Sequence, residues 1–197
     1  MVCSKFLALA CLVICGSLAL AVEYVDVDGS STRYATPIQS SVGDKQVNLV
    51  LTGTALRKKF IVKVYTIGSY VQEGVTVRTA EELAAVNCAK SLHLVMERDV
   101  AGKEMAEAFR SAIRLNYPEP QFTDEINTMM ECIQANDVHK GDQVWLTHVP
   151  NVGLHINLVG KKDVLIKNPR FSQAVWDIYL GKENLGDTIK HGLVSRL

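Results

Sequence analysis

The sequence predicts an α+β domain: a large, curved antiparallel sheet covered by a layer of helices. Three observations carry this. Strand-like runs come in consecutive pairs joined by short turn signals, which is how antiparallel hairpins read. Strands and helices are grouped (strands, helices, strands, helices) with no regular βαβ alternation. The 197 residues are 48% hydrophobic and 21% charged, the composition of a globular chain that can bury a core.

The chain starts with Lys5, then an apolar run from Phe6 to Leu20, then the small-x-small pattern Ala19-Leu20-Ala21. Residues 1–21 read as an export signal cut after Ala21, with an uncleaved anchor as the alternative. The run is short for a membrane span, and Glu23, Asp26 and Asp28 follow it directly. Residues 22–197 are then one domain, periplasmic or secreted, with no stable membrane span and a monomer expected.

Val22 to Tyr34 alternates through Asp28-Gly29, a hairpin turn signal. Pro37 to Gly43 reads as a connector. Gln46 to Thr52 alternates as a strand up to a break at Gly53-Thr54. A β-branched and aromatic run from Arg57 to Val71 reads as the next strand. On it Arg57, Lys59, Ile61, Lys63, Tyr65 and Ile67 share parity and hence a face.

Thr79-Ala80-Glu81-Glu82 is a capping box that opens a helix to about Cys88. Ser91 to Glu97 alternates as a strand. Met105, Phe109, Ala112 and Ile113 fall at helical spacing between Lys103 and Leu115, and Pro118 and Pro120 end that helix. Thr123 starts another, with Asp124 and Glu125 in its first turn and Ile126, Met129, Met130 and Ile133 on one stripe.

Strands follow at Gln143 to Val149, Gly153 to Val159 and Asp163 to Lys167, separated by Pro150-Asn151 and Gly160-Lys161-Lys162. Pro169 and Phe171 start a helix through Ala174, Val175, Ile178 and Tyr179, closed by Gly181. Asp187 caps a short last helix.

Charge excludes some partners. Lysine plus arginine and aspartate plus glutamate each number 21. That balance argues against nucleic acid, which needs clustered positive charge, and gives no reason to expect an anionic membrane surface. Cys88 and Cys132 remain after the signal. A disulfide between them and two buried thiols both fit. His148 and His155 flank Pro150-Asn151 and are placed to face each other across a hairpin, but two imidazoles without a third ligand make a poor metal site. No nucleophile elbow, P-loop, zinc-protease motif or dinucleotide fingerprint is present, so no metal or cofactor is expected.

Arg57 and Tyr65 remain. An arginine is always charged, so burying it demands an anionic acceptor. Pointed into the sheet–helix interface, Arg57 would take a ligand carboxylate, with Tyr65 donating a second hydrogen bond. Otherwise Arg57, Lys58 and Lys59 form a solvated hairpin tip.

These residues also carry a resemblance. Leu51-Thr52-Gly53-Thr54-Ala55-Leu56-Arg57-Lys58-Lys59-Phe60 and Val64-Tyr65-Thr66-Ile67-Gly68-Ser69-Tyr70-Val71 resemble the signature hairpin of the chalcone isomerase-like superfamily. Arg98-Asp99-Val100, Asn157-Leu158-Val159-Gly160 and Phe171 to Gly181 extend the likeness, which is to the exported bacterial branch.

The resemblance implies an open-faced β-sandwich with helices over a ligand cleft. Arg57 matches the guiding arginine of chalcone-flavanone isomerases, and Tyr65 falls at that enzyme's threonine. The enzyme's helix tyrosine and asparagine fall on Met105 and Ala112, which removes a hydroxyl and a polar substrate contact.

The plastid fatty-acid-binding relatives keep the arginine and use a tyrosine to hold a carboxylate, as Arg57 and Tyr65 would. The resemblance therefore implies a non-catalytic protein for a fatty acid or similar amphipathic carboxylate. Met105, Phe109, Ala112, Met129 and Met130 would line its tail channel. The alternatives are an isomerase or intramolecular lyase of the chalcone type, acting through Arg57 and Tyr65, and a partner-binding protein with a vestigial cleft.

Overall fold

The computed structural model describes residues 22–42 and 45–197. The expected export signal lies outside them. The strands are β1 (Glu23–Asp26), β2 (Arg33–Thr36), β3 (Ile38–Val42), β4 (Lys45–Lys59), β5 (Val62–Gln72), β6 (Lys90–Met96), β7 (Gln143–Val149), β8 (Gly153–Leu158) and β9 (Lys162–Ile166). The helices are α1 (Ala80–Ala85), α2 (Gly102–Asn116), α3 (Thr123–Gln134), α4 (Pro169–Leu180) and α5 (Asp187–Leu193).

Strands β3 to β9 form one antiparallel sheet in chain order, and β1 and β2 form a separate hairpin. The α+β class and the curled sheet with helices on it are as the sequence predicts. The main core lies between the sheet and the helices, built on residues such as Ile67, Leu94, Leu146, Ile156, Phe109 and Trp176. A smaller core lies on the other face, where the β1–β2 hairpin covers Leu49, Leu51 and Tyr70 with Val27 and Tyr34. Tyr70 Oη donates to the Ala35 carbonyl at 3.0 Å, and the Tyr34 and Thr66 hydroxyls are 2.9 Å apart. Every core residue described lies between Val27 and Leu193, so both cores as described are built from residues within 22–197.

The largest difference from the sequence reading is in the β4–β5 hairpin. Gly53-Thr54 is no turn. β4 runs straight through it to Lys59, and the chain reverses at Phe60-Ile61, where the reading expected a continuous strand. The sequence there has no Gly, Asn or Pro to mark a turn.

Gly53 marks a bulge instead. Leu51 pairs with Tyr70, Gly53 with Ser69, and Thr52 is the extra residue. A Cβ on Gly53 would sit 2.1 Å from the Gly192 carbonyl oxygen, so only glycine lets the end of α5 lie against β4. Thr52 Oγ1 ties the same junction, donating to the Leu193 carbonyl at 2.8 Å.

The bulge turns β4 over. Leu49 and Leu51 face the hairpin side, whereas Ala55, of the same parity, faces the helix side. Pro37 to Gly43 is likewise not a mere connector, since Ile38–Val42 pairs with β4 as the edge strand.

The helix ends follow local chemistry. Thr79 Oγ1 accepts from the Glu82 amide at 3.1 Å, and Glu82 reaches back to the Arg78 amide at 2.8 Å. α1 stops at Ala85 rather than near Cys88. Lys90 takes up its end, donating Nζ to the Leu83 and Ala84 carbonyls, while its charge lies 5.0 Å from the Trp176 ring centroid. Asn168 caps α4 ahead of Pro169, and Gly181 follows its last turn.

His148 and His155 do not face each other. His148 lies opposite Leu154 and His155 opposite Thr147, so they point to opposite faces. His148 is buried, with Nδ1 2.8 Å from Ser172 Oγ and Nε2 3.0 Å from Asn87 Oδ1. The Asn87 oxygen can only accept, so Nε2 carries the hydrogen and Nδ1 accepts from Ser172. Burial, with the Lys90 charge adding to it, lowers the His148 pKa to about 4. Cys88 and Cys132 are both free buried thiols, not a disulfide.

Candidate functional site

The site is built on the residues that the bulge aligns. Continuing the register of Leu51 with Tyr70 would set Arg57 opposite Val64. The extra residue at Thr52 sets it opposite Tyr65. Directly paired residues in an antiparallel ladder project from the same face. The pair two residues on, Ala55 with Ile67, is buried in the helix-side core, so Arg57 and Tyr65 also face the helices.

From the helix layer, Tyr179 on α4 brings its hydroxyl to 3.2 Å from that of Tyr65. Burial raises the pKa of Tyr65, while the Tyr179 hydrogen bond and the Arg57 charge pull it back. Tyr179 is raised well above the ordinary tyrosine value, by burial first and then by its neighbour Tyr65. Both phenols are therefore neutral near pH 7. One hydroxyl donates to the other, which leaves one O–H for a third group.

The Arg57 guanidinium donates to the Lys58 carbonyl at 2.9 Å and has no carboxylate partner among the described residues. Arg98 and Lys59, two other cations on this side of the sheet, are paired. Arg98 lies 3.0 Å from Glu104 and Lys59 lies 3.8 Å from Glu104. Glu107 is held by Arg110. Arg57 is thus an uncompensated positive charge beside two neutral phenols, an arrangement suited to an anion with lone pairs to accept.

Arg57, Tyr65 and Tyr179 open onto a cavity of about 530 Å³ between sheet and helices. Its wall is apolar. Met105, Phe109 and Ala112 line it from α2, at spacings that share one helix face. Val64 and Met96 line it from the sheet, and Ile178 from α4. A charged head with an oily chamber behind it is the shape of a site for an amphipathic acid.

Among the residues the sequence singles out, the structure brings Arg57, Tyr65, Met105, Phe109 and Ala112 together at this cavity. It does not bring Met129 or Met130. Met129 is fully buried in the core of α3, and Met130 packs against that core. α3 packs on α2 and β9, so its apolar stripe meets protein rather than open space.

Tyr179 escaped the sequence reading, which placed it on the apolar stripe of its helix. The signal was there: a tyrosine on a buried stripe needs a partner for its hydroxyl. Among the described residues no group of three or more His, Cys, Asp or Glu side chains is placed to hold a metal.

Comparison with known proteins agrees with the fold. A fatty-acid binding protein of Arabidopsis thaliana superposes with a TM-score of 0.66 at 15% identity, covering 88% of this chain and 96% of that one. At that identity the likeness is one of fold. No curated protein sequence matches the chain. The family model for chalcone isomerase-like proteins matches residues 31–195. That match takes in the whole seven-stranded sheet and the five helices of the described residues, and the chain belongs to the chalcone isomerase-like family.

Proposed function

We propose that this protein binds a fatty acid, or a similar amphipathic carboxylate, in the sheet–helix cavity. The carboxylate lies against Arg57 and takes a hydrogen bond from the Tyr65–Tyr179 pair. The tail runs along Met105, Phe109 and Ala112. The observation that carries this reading is the unpaired Arg57 charge at the head of an apolar chamber of about 530 Å³. That volume is within the usual range for small-molecule sites. The fold shared with a fatty-acid binding protein supports the same reading.

A chalcone-type isomerase is less well supplied here. Both lining carboxylates, Glu104 and Glu107, are engaged with cations, and the phenols hold their protons. The α2 wall offers Met105 and Ala112 where a polar substrate would need partners.

Native mass spectrometry after mild purification tests the binding reading, with lipid extraction to identify any bound molecule. The expected result is an acyl acid retained by the folded chain. An empty chain that also fails to take up added fatty acid would reject it. We further propose that the protein is exported, on the pattern of residues 1–21, as in the exported bacterial branch of the family. A mature N-terminus at Val22, found by N-terminal sequencing outside the cytoplasm, would bear this out. A full-length chain retained inside would refute it.

A further inference from the structure

The β4–β5 hairpin ends in a feature that the cavity does not use. Phe60 and Ile61 form its apex, and each is 92% exposed. Folding alone gives no reason to place two large apolar side chains in water at a turn. Phe60 also has a left-handed φ of 57°, a region that favours Gly or Asn and that a bulky residue seldom adopts. The turn is therefore filled by a residue that suits neither its conformation nor its solvent.

The flanks are basic. From Arg57 to Lys63 the sequence has four cations and no carboxylate. Lys58 has no side-chain partner among the described residues, and Lys63 Nζ meets only the Gly29 carbonyl. Lys59 has an exposed, 3.8 Å pairing with Glu104, which solvent weakens. The chain's balanced total charge hides this local cluster. The tip also stands clear of the sheet, because the ladder from β5 to β6 starts only at Tyr65.

We propose that this tip docks on an anionic lipid bilayer. Phe60 and Ile61 enter the boundary between headgroups and acyl chains, and Lys58, Lys59 and Lys63 meet the lipid phosphates. An apolar wedge ringed by cations is the chemistry that recognises such a surface. Two apex side chains are far too small for a stable protein interface, which needs roughly 800 Å² from each partner. The contact proposed is peripheral, and among the described residues no helix is long and apolar enough to cross a membrane. Because Arg57 and Lys59 line the cavity, docking sets its mouth beside the bilayer.

The test is co-sedimentation of residues 22–197 with vesicles that contain no fatty acid, so its outcome is independent of the ligand reading. Vesicles of equimolar phosphatidylcholine and phosphatidylglycerol are compared with phosphatidylcholine alone. The expected result is binding to the anionic vesicles, weakened by salt and by at least about tenfold in Phe60→Ser/Ile61→Ser. Lys58→Glu weakens it as well. The unfolding midpoint of each variant stays that of the wild type, since these side chains are exposed. A chain that ignores anionic vesicles, or binds them equally well without Phe60 and Ile61, overturns the proposal. So does a tip-dependent dimer that shows no vesicle binding.

Discussion

Arg57 stands opposite Tyr65 across the β4–β5 ladder because Thr52 is bulged out of it. One extra residue, five positions earlier, decides which side chain the arginine meets. The bulge in turn depends on Gly53, whose missing side chain leaves room for the Gly192 carbonyl. A backbone contact between β4 and α5 is therefore tied to the register of Arg57 and Tyr65.

That dependence makes Gly53 intolerant of any side chain. Gly53→Ala is expected to cost more than about 2 kcal/mol, because backbone atoms must move apart to admit the new methyl. Gly160→Ala is the control. It also has a positive φ, of 73°, but open space around it, and is expected to lose only about 1 kcal/mol. Urea unfolding of the two variants measures the difference.

Tyr179→Phe removes one member of the hydroxyl pair and leaves Tyr65 without its partner. A stability loss of about 1 kcal/mol is expected, together with a loss of about fivefold in carboxylate affinity. Fatty-acid titration and urea unfolding read the two effects separately. Unchanged affinity would place the hydroxyls outside the carboxylate site.

A buried histidine, His148, and a half-buried one, His93, predict acid lability. The His148 pKa is lowered from 6.5 to about 4, so between those values the unfolded chain carries a proton that the folded chain refuses. Stability therefore rises with pH across this window and is lost as pH falls from 6.5 towards 4. The full shift at His148 corresponds to on the order of 3 kcal/mol. His93, lowered to about 4 by burial and stacked 3.8 Å from the Trp145 ring, acts in the same direction. Urea unfolding at about pH 7 and about pH 4.5 should show the drop, and His148→Gln should shrink it.

Much of the fold was legible because its turns carry their usual residues. Asp28-Gly29, Pro150-Asn151 and Gly160 each lie between paired strands, and Thr79 and Asn168 cap helices. The errors cluster where a residue serves a different purpose. Gly53 reads as a turn but makes room for α5. Phe60-Ile61 reads as mid-strand but is the turn.

Parity along the sequence places Arg57 and Tyr65 on one face of a single strand. They do share a face, but as partners on two strands, with the reversal at Phe60-Ile61 between them. The Met129–Met130 stripe identified a buried helix face, yet periodicity does not say whether a cavity or another element covers it. Tyr179 was hidden for the same reason.

The proposed function requires Arg57 to hold the carboxylate of a fatty acid. Isothermal titration of palmitate into residues 22–197 and into the Arg57→Ala variant tests it most directly. The predicted result is saturable binding by the wild type, weakened about 10- to 100-fold in the variant, as expected for a lost charge-assisted hydrogen bond. The unfolding midpoint should not move, because the Arg57 side chain bonds only the adjacent Lys58 carbonyl. Equal affinity in the two proteins, or no binding by either, would rule out that role for Arg57.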